Sequence, residues 1–219
     1  MSDAAERRAQ LLEVYREAST CTRCPLSETR TKVVFGAGEA DADLMFVGEA
    51  PGAEEDRQGV PFVGRAGQLL TQLLAGIGLS REDVFITNVL KSRPPGNRDP
   101  QPGEIEACQP YLTQQVQLIE PRVIATLGNF ATKLLTGSPV GITRVRGTPQ
   151  LHEIGGRSVF IMPLLHPAAA LRTPSLVETL EGDFRALAEL LEQDQPPRPM
   201  TPDAVAAEPE PNQLGLFGQ

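Results

Sequence analysis

Small and polar residues that could carry chemistry follow the first apolar run of the chain. Gly48-Glu-Ala-Pro-Gly52 is a glycine-punctuated turn that can bring backbone amides close to a ligand, and carboxylates follow it in Ala53-Glu-Glu-Asp56. The turn is not a dinucleotide-binding fingerprint, because the G-x-G-x-x-G spacing is absent. Taken alone, the segment is more typical of an ordinary strand-to-helix turn with an acidic cap.

Further segments of this kind come later in the chain. They are Gly59-Val-Pro-Phe-Val-Gly64, Ile86-Thr-Asn88, Arg93-Pro-Pro-Gly-Asn97 and His166-Pro-Ala-Ala-Ala-Leu-Arg172. The ring of Phe62 offers a flat apolar face for stacking, and the amide of Asn88 both donates and accepts hydrogen bonds. Singly, Phe62 is typical of core packing, Asn88 of a turn cap and His166 of a loop.

Three cysteines form a second group, and two of them are spaced as Cys21-Thr-Arg-Cys24. They are too few for the disulfide framework of a small secreted domain and fit a reducing compartment, where such a pair binds metal or does redox work. Zinc would require four ligands, and the chain offers no second pair. The residues alone leave a metal site and a redox pair open.

Continuous apolar runs alternate with helical patterns along the chain. The runs are Leu44 to Val47, Val84 to Thr87, Val123 to Leu127 and Val159 to Met162. The helical patterns are Ala4 to Ala18, Gly67 to Gly76, Gly103 to Ile119, Asn129 to Leu135 and Leu176 to Glu192. This order predicts a three-layer α/β/α fold with a central four-stranded, mainly parallel sheet.

Ligands of open parallel sheets bind beyond the carboxyl ends of the strands. The segments that follow the four runs are Gly48 to Gly52, Asn88 to Asn97, Gly128-Asn129 and Leu165-His-Pro167. We therefore expect these segments to meet at one edge of the sheet.

The chain has 219 residues, of which 40% are hydrophobic, and this predicts one folded domain, residues 1–192. Residues 193–219 are Pro-rich, acidic and without apolar periodicity, which predicts a disordered tail. No run approaches the roughly 18 apolar residues of a membrane span, and the charged start lacks the apolar segment of a secretory signal. We expect a soluble, cytoplasmic protein.

A net charge of −8 argues against a nucleic-acid partner unless basic residues collect on one face. The tail holds part of the excess, since four acidic residues stand there against Arg198 alone. Six basic residues in or beside predicted loops could form one basic face, although scattered solvated charges are an equal alternative. They are Lys91, Arg93, Arg98, Arg144, Arg146 and Arg172.

Taken in order, the five motifs resemble the family 4 uracil-DNA glycosylases, the iron-sulfur branch of the uracil glycosylase superfamily. The resemblance runs from about Cys21 to Glu192, and five motifs in matching strand context make it highly specific. It implies hydrolysis of the N-glycosidic bond between uracil and deoxyribose in DNA, with the base extruded into a closed pocket and an abasic site left behind.

The resemblance also implies the roles of individual residues. Phe62 should stack on the uracil ring, Asn88 should hydrogen-bond its polar edge, and backbone groups around Gly48 to Ala50 and Gly52 should complete the pocket. His166 should bond a uracil carbonyl oxygen, which stabilises negative charge on the leaving base, and a neutral imidazole suffices for this.

The residue that activates water is harder to assign, because Ala50 occupies the position where other branches of the superfamily often carry Asp. Glu49, Glu55 and Asn97 are the remaining polar candidates. We favour Glu55 for positioning water or closing the pocket, and we expect the Glu49 carboxylate to bond loop amides near Asn97.

Members of the family hold a 4Fe-4S cluster with a C-x2-C pair and two later cysteines separated by fifteen residues. Cys21, Cys24 and Cys108 match three of these ligands, and Ser92 stands in the place of the remaining one. Because iron of such clusters prefers thiolate to a serine oxygen, we expect a labile cluster or a three-iron form, with an apo protein as the alternative. The cluster would be structural and would tie the N-terminal segment to the Pro-rich loop.

Gln213-Leu-Gly-Leu-Phe217 resembles the short bacterial motif that binds the sliding clamp, although a stray apolar end is the alternative reading. We therefore expect uracil-containing DNA and, through this motif, the clamp as partners, no membrane, and a monomer. Two other functions stay open at this point. One is a protein that traps uracil-DNA covalently, whose branch carries an inserted basic loop with a His, whereas this chain has only His152 and His166. The other is a non-catalytic lesion-binding module.

Overall fold

The computed structural model describes residues 4–193, and its strands form one mixed sheet. The strands are β1 (Ala37–Gly38), β2 (Leu44–Gly48), β3 (Phe85–Asn88), β4 (Val123–Leu127), β5 (Gln150–Ile154) and β6 (Arg157–Leu164). Their order across the sheet is β1-β3-β2-β4-β6-β5. The four central strands are parallel, and β1 and β5 pair antiparallel at the two edges.

Helices cover both faces of this sheet. They are α1 (Ala4–Ser19), α2 (Ala53–Gln58), α3 (Arg65–Gly76), α4 (Pro102–Ile119), α5 (Asn129–Thr136), α6 (Ile142–Val145), α7 (Pro167–Arg172) and α8 (Leu176–Glu192). Short 3₁₀ turns lie at Pro25–Glu28 and Pro95–Asn97.

Successive side chains of each central strand point to opposite sides of the sheet, so the strands supply two cores. Met45 and Val47 pack in the core that also takes up residues of α1, α4 and α5. Leu44 and Phe46 pack in the other core with residues of α3 and α8, and the ring of Phe46 stacks on Phe184 at 5.9 Å. This arrangement confirms the three-layer α/β/α fold.

The expected four strands match β2, β3, β4 and β6, but the count of four was wrong because two edge strands were missed. β1 has only two residues, too few to leave a pattern. β5 alternates between partly buried and exposed residues and turns into β6 through Gly155 and Gly156, whose φ angles are 62° and 79°. Left-handed glycines of this kind form tight hairpin turns, so the Gly-Gly pair was the available signal.

Three short helices were also missed, namely α2, α6 and α7, each of which spans about two turns or less. The predicted end of the last helix at Glu192 agrees with α8. Apart from Gln193, the predicted tail of residues 193–219 lies outside the described residues, and so does the motif at 213–217. None of the helices between Ala4 and Gln193 combines the length and apolar character needed to cross a membrane.

The register of the sheet brings the ends of the parallel strands together. Gly48 at the end of β2 pairs with Asn88 at the end of β3, and Leu127 pairs with Leu164 at the ends of β4 and β6. The segments after these strands therefore meet at one edge of the sheet, as expected for a ligand site.

Candidate active site

Two side chains from different segments converge on Gly48. A Cβ atom placed on Gly48 would lie 2.3 Å from Asn88 Oδ1 and 2.7 Å from Phe62 Cζ. Any larger residue would collide with both, so glycine is required here to let the amide and the ring approach one another.

His166 closes the other side of this arrangement. Its imidazole stacks against the ring of Phe62 with centroids 5.7 Å apart and an interplanar angle of 28°. A Cβ atom on Gly128, just after β4, would lie 3.1 Å from His166 Cβ. The structure therefore brings Phe62, Asn88 and His166 into one slot, bounded by the glycines that follow β2 and β4.

The Asn88 side chain is only 2% exposed, and its Oδ1 has no hydrogen-bond partner among residues 4–193. A buried amide oxygen without a partner costs about 1–3 kcal/mol in folding free energy. We therefore expect this atom to accept a hydrogen bond from a bound ligand. Its backbone is held in place because the amides of Val89 and Leu90 donate to the carbonyls of Gly48 and Glu49 at 2.9 and 3.0 Å. Asn88 thus presents a fixed acceptor to the slot.

The hydrogen bonding of His166 fixes its tautomer. Nδ1 accepts a hydrogen bond of 3.1 Å from the backbone amide of Ala168, at the start of α7. Burial lowers the pKa of His166 to about 4; the nearby charge of Arg172 lowers it further and that of Glu55 opposes the shift. At neutral pH the imidazole is therefore uncharged, and its proton lies on Nε2, which can donate to a ligand.

The loop that carries Phe62 is held by Glu55. One carboxylate oxygen, Oε1, accepts hydrogen bonds of 3.0 Å from the backbone amides of Val63 and Gly64. The other oxygen faces Gly52, where an added Cβ would lie 2.7 Å away. Glu55 thus accepts hydrogen bonds from loop amides, a role that the sequence analysis expects for Glu49.

A cavity of about 740 Å³ opens beside the slot. His166 and Gly128 connect it to the slot, and its other polar lining residues include Glu49, Asp99, Lys133 and Arg172. Burial raises the pKa of Glu49, and the negative charge of Asp99 raises it further. Sequence reasoning missed Asp99 and Lys133, since neither stands in a segment that directly follows a strand.

Asn97 is exposed, and its Oδ1 accepts a hydrogen bond of 2.8 Å from Arg93 Nε. Among the residues described, no hydrogen bond joins Glu49 to the loop around Asn97, so that expectation is not met. Ala50 is partly buried beside Glu49 and has no polar atom on its side chain. Of the three water-activating candidates, only Glu49 faces the cavity.

The sequence matches the uracil DNA glycosylase superfamily over residues 35–192. The chain belongs to this superfamily. It is 47% identical over 188 residues to the type-4 uracil-DNA glycosylase of Archaeoglobus fulgidus, covering 84% of this chain and 94% of that protein. It is 49% identical over 170 residues to the type-4 enzyme of Thermotoga maritima, covering 77% and 87% of the two chains.

A type-4 uracil-DNA glycosylase from Saccharolobus solfataricus is 48% identical over 180 residues, which are 80% of this chain and 83% of that protein. The family match at residues 35–192 extends over the strands and loops that build the slot. These matches confirm the resemblance that the five motifs indicated.

Fewer basic residues are available for a basic face than the six that the sequence analysis named. Lys91 is only 2% exposed, and its ammonium donates hydrogen bonds of 2.7 Å to Thr87 Oγ1, the Asn88 carbonyl and Gln115 Oε1. Arg98 and Arg146 form ion pairs with the buried carboxylates of Glu104 and Asp183.

Other basic groups remain accessible. Arg172 and Lys133 are exposed at the rim of the cavity, and Arg144 is exposed in α6. Arg93 is partly exposed next to Asn97. A basic face beside the slot would thus rest on Arg172 and Lys133 and not on Lys91.

Cys108 of helix α4 interacts electrostatically with Cys21 and Cys24, which follow α1. Burial raises the pKa of Cys108, and the charges of Cys24 and Cys21 add to this, while the amide and charge of Lys91 oppose it. Burial would also raise the pKa of Cys21, but hydrogen bonds with Tyr111 and Arg23 and the Arg23 charge lower it overall. A lowered pKa favours the thiolate form that metals bind.

Ser92 is buried, and its hydroxyl accepts a long contact of 3.5 Å from Arg30 Nη1. Within residues 4–193, no three Cys, His, Asp or Glu side chains are grouped tightly enough to hold a single metal ion. This argues against a mononuclear zinc site, whose four donors must all approach one ion to about 2.0–2.3 Å. Cluster ligands bind separate iron atoms and therefore stand farther apart, so three thiols and one hydroxyl fit the donor set of a cluster.

Proposed function

We propose that this protein is a DNA repair glycosylase that removes uracil from DNA by hydrolysing its N-glycosidic bond and leaves an abasic site. The observation that carries the proposal is the buried Oδ1 of Asn88, which has no partner among residues 4–193 and meets the ring of Phe62 at Gly48, while that ring stacks on the imidazole of His166. The names of the type-4 relatives support the same activity.

Uracil matches the polar groups of this slot. Its N3–H is a donor between two carbonyl acceptors, so Asn88 Oδ1 accepts from N3–H while the neutral His166 donates from Nε2 to a carbonyl oxygen. Phe62 stacks on the face of the ring, and backbone groups of Gly48 to Ala50 and Gly52 line its edge. A base must leave the DNA stack to reach this position.

Bond cleavage places charge where His166 can stabilise it. The bond between C1′ of deoxyribose and N1 of uracil breaks, and its electron pair moves into the uracil ring and onto its carbonyl oxygen. The preset Nε2–H donor of His166 stabilises that oxygen, and no proton needs to be transferred from the imidazole. A water oxygen then bonds to C1′ and loses its proton.

Glu49 is the group best placed to position this water and to accept its proton. It lies in the cavity next to His166, and its raised pKa makes its carboxylate a better base than an ordinary one. Glu55 holds the Phe62 loop through the amides of Val63 and Gly64. We therefore assign the positioning of water to Glu49, and of the two roles expected for Glu55 we keep the shaping of the pocket.

Cys21, Cys24, Cys108 and Ser92 would hold an iron-sulfur cluster. The electrostatic interaction of Cys108 with Cys21 and Cys24 and the lowered pKa of Cys21 support this assignment. When bound, the cluster would act as a cross-link between the segment after α1, the loop after β3 and helix α4, since hydrolysis moves no electrons.

Incubation of the purified protein with a uracil-containing oligonucleotide tests the function. Strand breaks that appear after alkali treatment would support excision. A stable protein-DNA adduct would instead mean covalent trapping, and retention of intact DNA alone would mean a binding module. An identical duplex with thymine in place of uracil is the control and should stay intact.

The remaining expectations concern partners and location. We propose that Gln213-Leu-Gly-Leu-Phe217 binds the bacterial sliding clamp, supported by the motif alone, and that the protein acts as a cytoplasmic monomer. Full-length protein should bind purified clamp, and a version that ends at Met200 should not. Equal binding of the two would refute the tail assignment.

A further inference from the structure

Phe62 has an unusual backbone conformation for a bulky residue. Its φ angle is 52°, in the left-handed region that only glycine adopts without cost. This conformation is strained for such a residue and persists only where its surroundings impose it. The loop around Phe62 must therefore contain the contacts that hold it.

One support is the first part of helix α3. A Cβ atom on Gly67 would lie 1.7 Å from the carbonyl oxygen of Phe62, so the helix backbone packs directly on this peptide. A second support is Glu55, which binds the next two amides of the loop. Neither of these contacts binds the carbonyl group of Phe62 itself by a hydrogen bond.

Arg81 supplies that hydrogen bond from a distant part of the chain. It lies between α3 and β3, and its Nη1 donates to the Phe62 carbonyl at 3.0 Å while its Nη2 donates to the Pro61 carbonyl at 2.7 Å. The planar guanidinium suits two adjacent carbonyls, which a lysine ammonium could not bind in the same way.

The environment of Arg81 points to a role beyond an ordinary surface ion pair. Its guanidinium is partly buried, and within residues 4–193 it has no carboxylate closer than 4.0 Å. Both of its hydrogen bonds go to the loop that carries the stacking ring. A charged group partly withdrawn from water and committed to one strained loop is a costly way to hold a surface segment.

We propose that Arg81 is a positioning residue for uracil excision, which holds the Phe62 peptide in its left-handed conformation and so presets the ring for stacking. The proposal rests on the proposed function, because it assigns Arg81 a part in that reaction. Arg81 touches neither the base nor the sugar and acts only through Phe62.

Fluorescence tests the geometric part of the proposal without any catalysis. The chain contains no Trp, so Phe62→Trp introduces a single indole at the position of the ring. Arg81→Met in this background should raise quenching of the indole by acrylamide several-fold and should lower its anisotropy. Quenching and anisotropy that stay unchanged would overturn the proposal.

Arg122→Met is a matched control. Arg122 also donates to two backbone carbonyls, those of Leu191 and Gln193, but it directly precedes β4, at the end of that strand away from the slot. It should leave the indole signal unchanged. An equal response to both substitutions would mean general loosening of the fold and would also overturn the proposal.

A double-mutant cycle tests the catalytic part, with the single-turnover rate of uracil release as the readout. Arg81→Met should slow the wild-type reaction on the order of tenfold and the Phe62→Ala enzyme less than about twofold, because residues that act as one unit are not additive. Arg81→Lys, which can reach only one carbonyl, should fall between. Equal slowing in both backgrounds would show that Arg81 does not act through Phe62.

The two proposals can fail separately. A wild-type protein that releases no uracil refutes the function, whatever the indole reports. A wild-type protein that releases uracil, with additive effects of Arg81 and Phe62, refutes only the role of Arg81. Circular dichroism of every variant measures the folded fraction, to which each rate is normalised.

Discussion

The ammonium of Lys91 donates a hydrogen bond of 2.7 Å to the backbone carbonyl of Asn88. A buried lysine side chain thus lies behind the backbone of the residue that we propose to bind the base. The same ammonium binds Thr87 and Gln115, and the backbone amide of Lys91 lies 3.4 Å from Cys108 Sγ. Lys91 therefore supports the end of β3 from inside and is not available to DNA phosphates.

The burial of Lys91 predicts how DNA binding depends on salt. Lys133→Met should reduce the slope of log K against log salt concentration by roughly 1, because an accessible lysine releases about one counterion on binding phosphate. Lys91→Met should leave that slope unchanged while it slows excision. Fluorescence anisotropy of a labelled duplex at several salt concentrations gives both slopes, and a reduced slope for Lys91→Met would place it back on the DNA-binding face.

The unpaired oxygen of Asn88 predicts that stability and activity respond in opposite directions. Asn88→Leu removes a buried acceptor without a partner, so the free energy of unfolding should stay the same or rise by about 1 kcal/mol. Excision should nevertheless fall at least about a hundredfold, because the base loses its acceptor. Urea unfolding and single-turnover kinetics measure the two effects.

Asn129 is the control for this substitution, since its Oδ1 accepts a hydrogen bond of 3.1 Å from the amide of Ile142. Asn129→Leu leaves that amide unpaired and should lower the free energy of unfolding by about 1 kcal/mol. A clear loss of stability in Asn88→Leu would show that its oxygen has a partner inside the folded protein.

The interaction of Glu49 with Asp99 predicts how the rate of uracil excision falls at low pH. If Glu49 accepts the proton of water, excision should slow as the pH falls through its raised pKa. Asp99→Asn removes the like charge that raises this pKa, so the decline should move to lower pH. Asp41→Asn, an exposed change outside the cavity, should leave the profile in place. A profile that Asp99→Asn does not move would remove Glu49 as the base.

His166 should not contribute a titration step between pH 5.5 and 8, because its lowered pKa of about 4 keeps it neutral there. Folding disfavours the charged form of His166. The neutral imidazole therefore adds to the free energy of unfolding, and this contribution is lost as the pH falls below about 6.5. The chain has two histidines, and NMR of a His152→Gln variant leaves the His166 signal alone. A midpoint near 6.5 would contradict the buried, neutral imidazole.

The serine at position 92 predicts an iron-sulfur cluster whose occupancy and stability in air a single substitution raises. Ser92→Cys should raise the iron content of anaerobically purified protein to about four per chain and slow the loss of visible absorption in air, because thiolate is the preferred ligand. Thr20→Cys, an exposed thiol just before the cysteine pair, serves as the control and should change neither value. Equal iron content in wild type and Ser92→Cys would show that position 92 is not a ligand.

The central strands were predictable because they are continuous apolar runs, which only a sheet covered on both faces accommodates. The convergence of Gly48, Asn88 and His166 followed from the same topology. The edge strand β5 was not predictable, since two of its five residues are exposed and its pattern resembles that of a loop.

Side-chain partners could not be predicted with the same success. Lys91 stands in a Pro-rich loop next to two arginines, and nothing in the sequence indicates that its ammonium turns inward to Thr87 and Gln115. The roles of Glu49 and Glu55 depend on where the Phe62 loop passes, which no local pattern reveals. Arg81 is a single basic residue in a connecting loop, and only its contacts with Pro61 and Phe62 mark it out.

A crystal structure of the protein with uracil bound tests the central claim most directly. The ring should lie parallel to that of Phe62, with N3 within hydrogen-bond distance of Asn88 Oδ1 and a carbonyl oxygen at His166 Nε2. Uracil bound outside this slot, or an Asn88 oxygen still without a partner in the complex, would contradict the account.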